Sequence, residues 1–203
     1  MHFPYNERIQ SGGRCFHLNL FAFTKDQFAS SFRALQKTRT LTTTGIFLAI
    51  QVVLGSYGTI EVTDSLKISL SHLALAPTAI LFGPAVAAMQ GALSDIIGYL
   101  IKPTGPYFPG FTLATLLLGL IYGLSLYKTK HTMPRVVITR IAVMVLVNLL
   151  LNTVCLVMLY GPSRLATFPV RAAKNLVQLP FDCILLYSVC NIVKRLPNPN
   201  TVR

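Results

Sequence analysis

The chain has 203 residues, 53% of them hydrophobic and only 12% charged, with a mean hydropathy of +0.58 and a formal net charge of +12. That apolar share exceeds an ordinary soluble domain and fits a single integral membrane domain. The basic residues lie in the tails and between apolar runs rather than on a folded face with stacking aromatics, which sets nucleic acid aside as a partner, and Cys15, Cys155, Cys183 and Cys190 lack the paired spacing of a zinc site or disulfide framework.

Residues 1–23 are mixed in character and lack the basic start, apolar stretch and small-residue cleavage site of a signal peptide. Thr24 and Gln27 have capping-box spacing, and Phe28, Phe32 and Leu35 recur at helical intervals near Arg33, Lys37 and Arg39. An amphipathic helix at about 26–39, lying on the membrane surface, is expected there. A first, short span follows from Leu41 to Ser56, carrying Gly45 and Ala49 in the small-xxx-small pattern that lets helix backbones approach. The pattern serves packing within the bundle and contact with a partner equally well. After the loop YGTIEVTDSLK, a second span from Ile68 to Phe82 contains Pro77, so a kink or an early end is expected. The junction Phe82-Gly83-Pro84 is tight enough to force antiparallel neighbours.

Pro84 to Ile101 and Gly110 to Tyr127 are each of membrane-crossing length, and the KPTGPYFPG loop between them is too rich in Pro and Gly for a helix. Asp95 lies inside the first of this pair, where a carboxylate facing lipid costs on the order of 3 kcal/mol, so it should face protein or a wet cavity. A basic loop, YKTKHTMPR, precedes a long fifth span from about Val136 to Tyr160. The loop GPSRLATFPVRAAK then leads to a sixth span from about Leu176 to Val193. The expected fold is thus all-α and polytopic: a cytoplasmic tail over 1–40, a six-helix membrane domain over 41–196 and a second tail over 197–203.

Six spans put both ends on one side. Arg8, Arg14, Lys25, Arg33, Lys37, Arg39, Lys128, Lys130, Arg135, Lys194, Arg195 and Arg203 mark that side as cytoplasmic, and the opposite side holds only Lys67, Lys102, Arg164, Arg171 and Lys174. No internal repeat of the inverted-repeat transporter kind is visible.

Within the spans, Asn148 and Asn152 share a face, and Arg171, Lys174, Asn175, Gln178 and Asp182 form one helical stripe. With Asp95 they can converge beneath Pro106, Tyr107, Phe108 and Pro109. Interhelical hydrogen bonding, at about 0.6 kcal/mol each, explains any single amide. The whole stripe beneath an aromatic loop points instead to a ligand cavity. Lys67, Lys102, Arg171 and Lys174 at the outer mouth suit a solute with an anionic end, deeper amides and acid give directional hydrogen bonds, and Tyr107 and Phe108 can cover a flat ring. There is no Walker A, HExxH or Gly-x-Ser-x-Gly motif, and His72 and His131 are not spaced as metal ligands, so an enzyme is not expected, nor a cofactor or a metal.

From about Phe28 to Leu196 the chain resembles the folate-family S component of energy-coupling factor (ECF) transporters. The likeness is carried by TRTLTTTGIFLAIQVVLGSYG, LKISLSHLALAP, FGPAVAAMQGALSDIIGYLIKPTGPYFPGFT, GLIYGL, and LLLNTVCLVMLYG followed by PVRAAKNLVQLP, with PTGPYFPGFT the specific string. The resemblance implies a six-helix, multi-pass subunit in the cell membrane that captures folate with high affinity outside, binding no nucleotide itself. It also implies a transmembrane coupling subunit and two cytoplasmic ATPases as partners. In that family the first span's small residues, usually Ala-xxx-Ala and here Gly45 and Ala49, meet the coupling subunit. A ligand of about 30 heavy atoms at roughly 0.3 kcal/mol per atom reaches about 9 kcal/mol, enough for micromolar or tighter binding. An S component for another anionic vitamin, and a non-transport membrane scaffold, are the other readings that these residues leave open.

Overall fold

Apolar runs punctuated by Gly and Pro become helices in the computed structural model, which describes residues 27–58, 60–63, 66–68, 71–103, 105–127, 129 and 132–195. A short helix over 27–35 (α1) leads into α2 (Thr38–Ser56), α3 (Ser71–Phe82), α4 (Pro84–Ile101) and α5 (Pro109–Leu126). A second half comprises α6 (Met133–Val143), a π-helical segment (Met144–Leu151), α7 (Asn152–Tyr160), a 3-10 turn (Pro162–Thr167) and α8 (Phe168–Arg195). Proline opens three of these helices, at Pro84, Pro109 and Pro134, where the missing N–H has no intrahelical partner to lose.

Four stretches are long and apolar enough to cross a membrane: Pro84–Ile101, Pro109–Leu126, Met133–Tyr160 and Phe168–Val193. With α2 and the shorter α3 they make six helical passes. Helix α3 continues through Pro77 to Phe82, so the proline neither ends it nor shortens the apolar run. The chain reverses between α3 and α4 at Gly83 alone, whose φ of +90° is a conformation that side-chain-bearing residues avoid.

Two expectations about element bounds are corrected. The sixth pass begins at Phe168 rather than near Leu176, because Arg, Ala and Lys favour helix and Pro169 falls in the first turn, where proline is tolerated. Arg171, Lys174 and Asn175 are therefore helical residues and not part of a loop. The segment after α2 is not a plain loop either: Ile60–Thr63 (β1) pairs antiparallel with Leu66–Ile68 (β2), Glu61 standing in register with Lys67.

Close approach of backbones organises the middle of the bundle. A Cβ on Gly119 or Gly123 of α5 would run into the backbone of Ala87 or Pro84 of α4, and one on Gly91 into the carbonyl of Thr115. Only glycine lets these two helices meet so tightly. Around that pair Leu75, Ala79, Tyr122, Leu126, Val136, Val143 and Leu186 are fully buried, whereas Ile138, Val154, Val177, Phe181 and Ile184 face outward as lipid-exposed residues of a membrane protein should.

Helix α1 occupies the position its sequence suggests but docks by a different face. Gln27, Ser31 and Ala34 are buried, Phe28 and Leu35 are half-buried, and Phe32 is 58% exposed. The reason is capping across helices: Ser31 Oγ accepts from the backbone N–H of Ala85 at 3.1 Å and of Val86 at 3.3 Å, satisfying amides that Pro84 and Gly83 cannot. Gln27 Nε2 donates to the carbonyl of Tyr127 at 3.2 Å. Thr24 lies outside the described residues, as do Cys15 and most of both tails; Cys155, Cys183 and Cys190 are buried free thiols.

Candidate functional site

The interruption of the fifth pass sets up one wall of the site. In an unbroken α-helix Arg140 and Asn148, eight positions apart, would sit about 80° apart around the axis, given 3.6 residues per turn. The π segment Met144–Leu151 takes an extra residue into each turn and removes much of that offset. Arg140, Asn148 and Asn152 consequently line one cavity, of about 780 Å³, within the size range of small-molecule sites.

A second wall is the stripe of α8: Arg171, Lys174, Asn175 and Gln178 all line the cavity, and Val177, Phe181 and Ile184 of the same helix face away. Helix α4 contributes Asp95 and Tyr99, and Lys102, Pro106, Tyr107 and Phe108 come from the loop that follows it. The expected convergence is thus seen for Asp95, Pro106, Tyr107, Phe108, Asn148, Asn152, Arg171, Lys174, Asn175 and Gln178. Lys67 sits on β2, and its side chain lies outside the described residues.

The loop is tied to the carboxylate beneath it. Thr112 Oγ1 donates to Asp95 Oδ2 at 2.7 Å and lies 2.8 Å from the Tyr107 hydroxyl, so Asp95 holds Tyr107 through one intermediate. The Tyr99 and Tyr107 rings meet with centroids 5.2 Å apart, and Tyr99 donates to the carbonyl of Gly105 at 3.0 Å. Gly105 has φ +143°, a conformation that favours glycine, and also lines the cavity. Aromatic rings, cations and amides therefore line one cavity.

The floor holds a group that sequence reasoning passed over. Arg140, only 5% exposed, bonds through Nη2 to Asp182 Oδ2 and through Nη1 to the Tyr122 hydroxyl at 3.2 Å. Asp182 also has His72 Nε2 at 3.5 Å and Gln178 Nε2 at 3.4 Å. Arg140, His72 and Gln178 line the cavity, while Tyr122 and Asp182 stand behind them. On the α2 side, Gln90 donates to Gln51 at 2.8 Å and Gln51 to Ser94 at 2.8 Å, with Gln51 and Ser94 on the cavity wall. The signal for Arg140 was its position inside an apolar run, the same that marks Asp95. Among the described residues no three His, Cys, Asp or Glu side chains gather as metal ligands.

Gly45 and Ala49 lie elsewhere, on the outer face of α2. Both are exposed, and a Cβ added at Gly45 meets nothing within 4 Å. Their spacing thus serves no packing within the described bundle.

Comparison with known proteins places this arrangement. The family model described as "ECF-type riboflavin transporter, S component" matches residues 35–194. The chain is 32% identical over 168 residues to "Folate transporter FolT" of Clostridium novyi (strain NT), covering 83% of this chain and 97% of that protein. It is also 32% identical over 135 residues to "Folate transporter FolT" of Leuconostoc mesenteroides subsp. mesenteroides, covering 64% of this chain and 73% of that one. Among solved structures, "Crystal structure of FolT bound with folic acid" superposes with a TM-score of 0.72 at 34% identity, over 79% of this chain and 97% of the other.

Proposed function

The chain belongs to the family of ECF-type transporter S components, and on that premise we propose that it is the folate-binding subunit of an ECF importer in the cell membrane. The observation that carries the choice of ligand is where the lining residues stand along their helices: Lys102 ends α4 and Arg171 and Lys174 lie in the first two turns of α8, whereas Asn148, Asn152 and Gln178 lie two or more turns in from the ends of their passes. Folate has a flat, hydrogen-bonding pteridine at one end and a glutamate with two carboxylates at the other, matching both zones. The flavin named in the family's description carries a neutral ribityl chain, which brings no carboxylate to this positively charged side of the cavity. Relatives at 32% identity are named as folate transporters, in agreement with this.

The ligand sits with its pteridine on the amides, its flat aminobenzoyl ring against Tyr107 and Phe108 and its glutamate beside Lys102, Arg171 and Lys174, and the Asp95–Thr112–Tyr107 connection holds the aromatic loop in place. No bond is made or broken in this cavity, and with no nucleotide motif in the sequence the energy for release comes from elsewhere. A transmembrane coupling subunit meets α2 at the exposed Gly45 and Ala49, and two cytoplasmic ATPases supply hydrolysis. The charge distribution puts both ends of the membrane domain, and the tails over 1–40 and 197–203, in the cytoplasm.

Mass spectrometry of ligand retained through detergent purification, followed by calorimetry with folate and riboflavin, tests the reading. We expect a folate in the purified protein and affinity for riboflavin at least about a hundredfold weaker. Riboflavin retained and not displaced by folate would overturn it.

A further inference from the structure

We propose that Arg140 is the residue that reads the buried end of the ligand, donating to the 4-oxo edge of the pteridine, with Asp182 and Tyr122 acting as positioning residues behind it. This rests on the folate reading above and adds the group that selects one ring over its close analogues.

Two buried charges in a membrane bundle are not explained by stability, because apolar residues of similar volume commonly do as well as a buried ion pair. The geometry explains them as a held donor. A guanidinium carries five N–H groups in a rigid fork. Asp182 and the Tyr122 hydroxyl engage one amino nitrogen each from behind, on α8 and α5, while Arg140 itself lines the cavity and its two holders do not. The N–H groups that Asp182 and Tyr122 do not take are left for a ligand in the cavity that Arg140 lines, in the half of the fifth pass nearer Met133 and away from the loop of Tyr107 and Lys102. Burial of such donors is costly until an acceptor arrives.

The acceptor's chemistry follows from the surroundings. Asp182 already neutralises Arg140 and is itself 2% exposed, so a ligand carboxylate at the floor would be placed beside a fixed negative charge. A neutral acceptor has no such opposition. On a pteridine that is the 4-carbonyl oxygen with N5 across the ring junction, a pair of acceptors on one edge. An analogue with an amino group at that position sets a donor against donors, and sites built to bond a given polar group reject ligands that lack it.

The test measures dissociation constants of the purified full chain for folate, its 4-amino analogue and pteroate, which lacks the glutamate. The wild type should prefer the 4-oxo ring at least tenfold. Arg140→Lys, which keeps the charge beside Asp182 and loses the fork, and the neutral pair Arg140→Gln/Asp182→Asn should both lower that preference to threefold or less, leaving the folate-to-pteroate ratio as it was. Asp182→Asn alone should reduce the preference partway, an effect that a merely structural aspartate would not have on a ratio. The proposal is overturned if the wild type does not distinguish the two rings, if both variants still do, or if the folate-to-pteroate ratio collapses instead, since Arg140 would then be reading a carboxylate. Wild type that binds no folate at all fails the functional reading itself, before any variant is made.

Discussion

Arg171 and Lys174 stand one to two turns before Gln178 on a single stripe of α8, so charge and neutral hydrogen bonding are sorted by depth along one helix. Depth should therefore sort the mutants. Arg171→Ala or Lys174→Ala is predicted to weaken folate at least tenfold more than pteroate, because only folate brings the glutamate that pairs with them. Asn148→Ala or Gln178→Ala is predicted to weaken both ligands alike, leaving buried ring groups unpaired at about 1 to 3 kcal/mol each. Calorimetry with the two ligands decides: equal losses at Arg171 and Lys174 would mean that the glutamate lies elsewhere. The stripe was legible in sequence because helical offsets alone align it, and Asp95 because an acid stands out in an apolar run. Arg140 was harder to see. It lies within two turns of the basic loop before α6, where a long cationic side chain ordinarily reaches back to the membrane surface, and the partner that holds it inward, Asp182, is 42 positions away.

At the scale of helices, two pairs of small residues with identical spacing do opposite things. Gly119 and Gly123 of α5 are pressed on the backbone of α4, while Gly45 and Ala49 of α2 face outward. Gly119→Ala is predicted to cost about 1 to 3 kcal/mol as an overpacked contact, read as a lower melting temperature in detergent. Gly45→Leu should leave melting and folate affinity unchanged yet impair uptake in cells that supply the other subunits; a comparable loss of binding would show instead that α2 packs there. Ser31→Ala removes the acceptor of two α4 amides and should cost about 1 kcal/mol, the scale of a lost cap, without altering folate affinity. Spacing could not separate the two glycine pairs, since small-xxx-small states only that something comes close. The π segment was equally hidden: MVLVNLLL is apolar but for Asn148, and a single polar residue sets no period that would report how tightly the segment winds. The β1–β2 hairpin escaped because strands of four and three residues are too short to show alternation.

For the molecule as a whole, hydropathy sufficed for the count of the passes, since a bilayer admits few arrangements of apolar helices. The proposed division of labour limits what the chain can do by itself. A cavity lined by Tyr107, Phe108 and Arg140 exchanges ligand with one solution at equilibrium, and binding energy by itself moves no solute uphill: whatever is gained on capture must be returned on release. Sustained accumulation needs a coupled reaction, and the sequence contains no Walker A loop to run one. Reconstituted alone in liposomes with ATP inside, the protein is therefore predicted to hold labelled folate only up to its own molar amount, with no dependence on ATP. Adding a coupling subunit and two ATPases should convert that plateau into ATP-dependent uptake that grows with time. Accumulation by the isolated chain beyond its molar amount, and dependent on ATP, would require an energy-coupling site within these six passes and would overturn the division of labour proposed here.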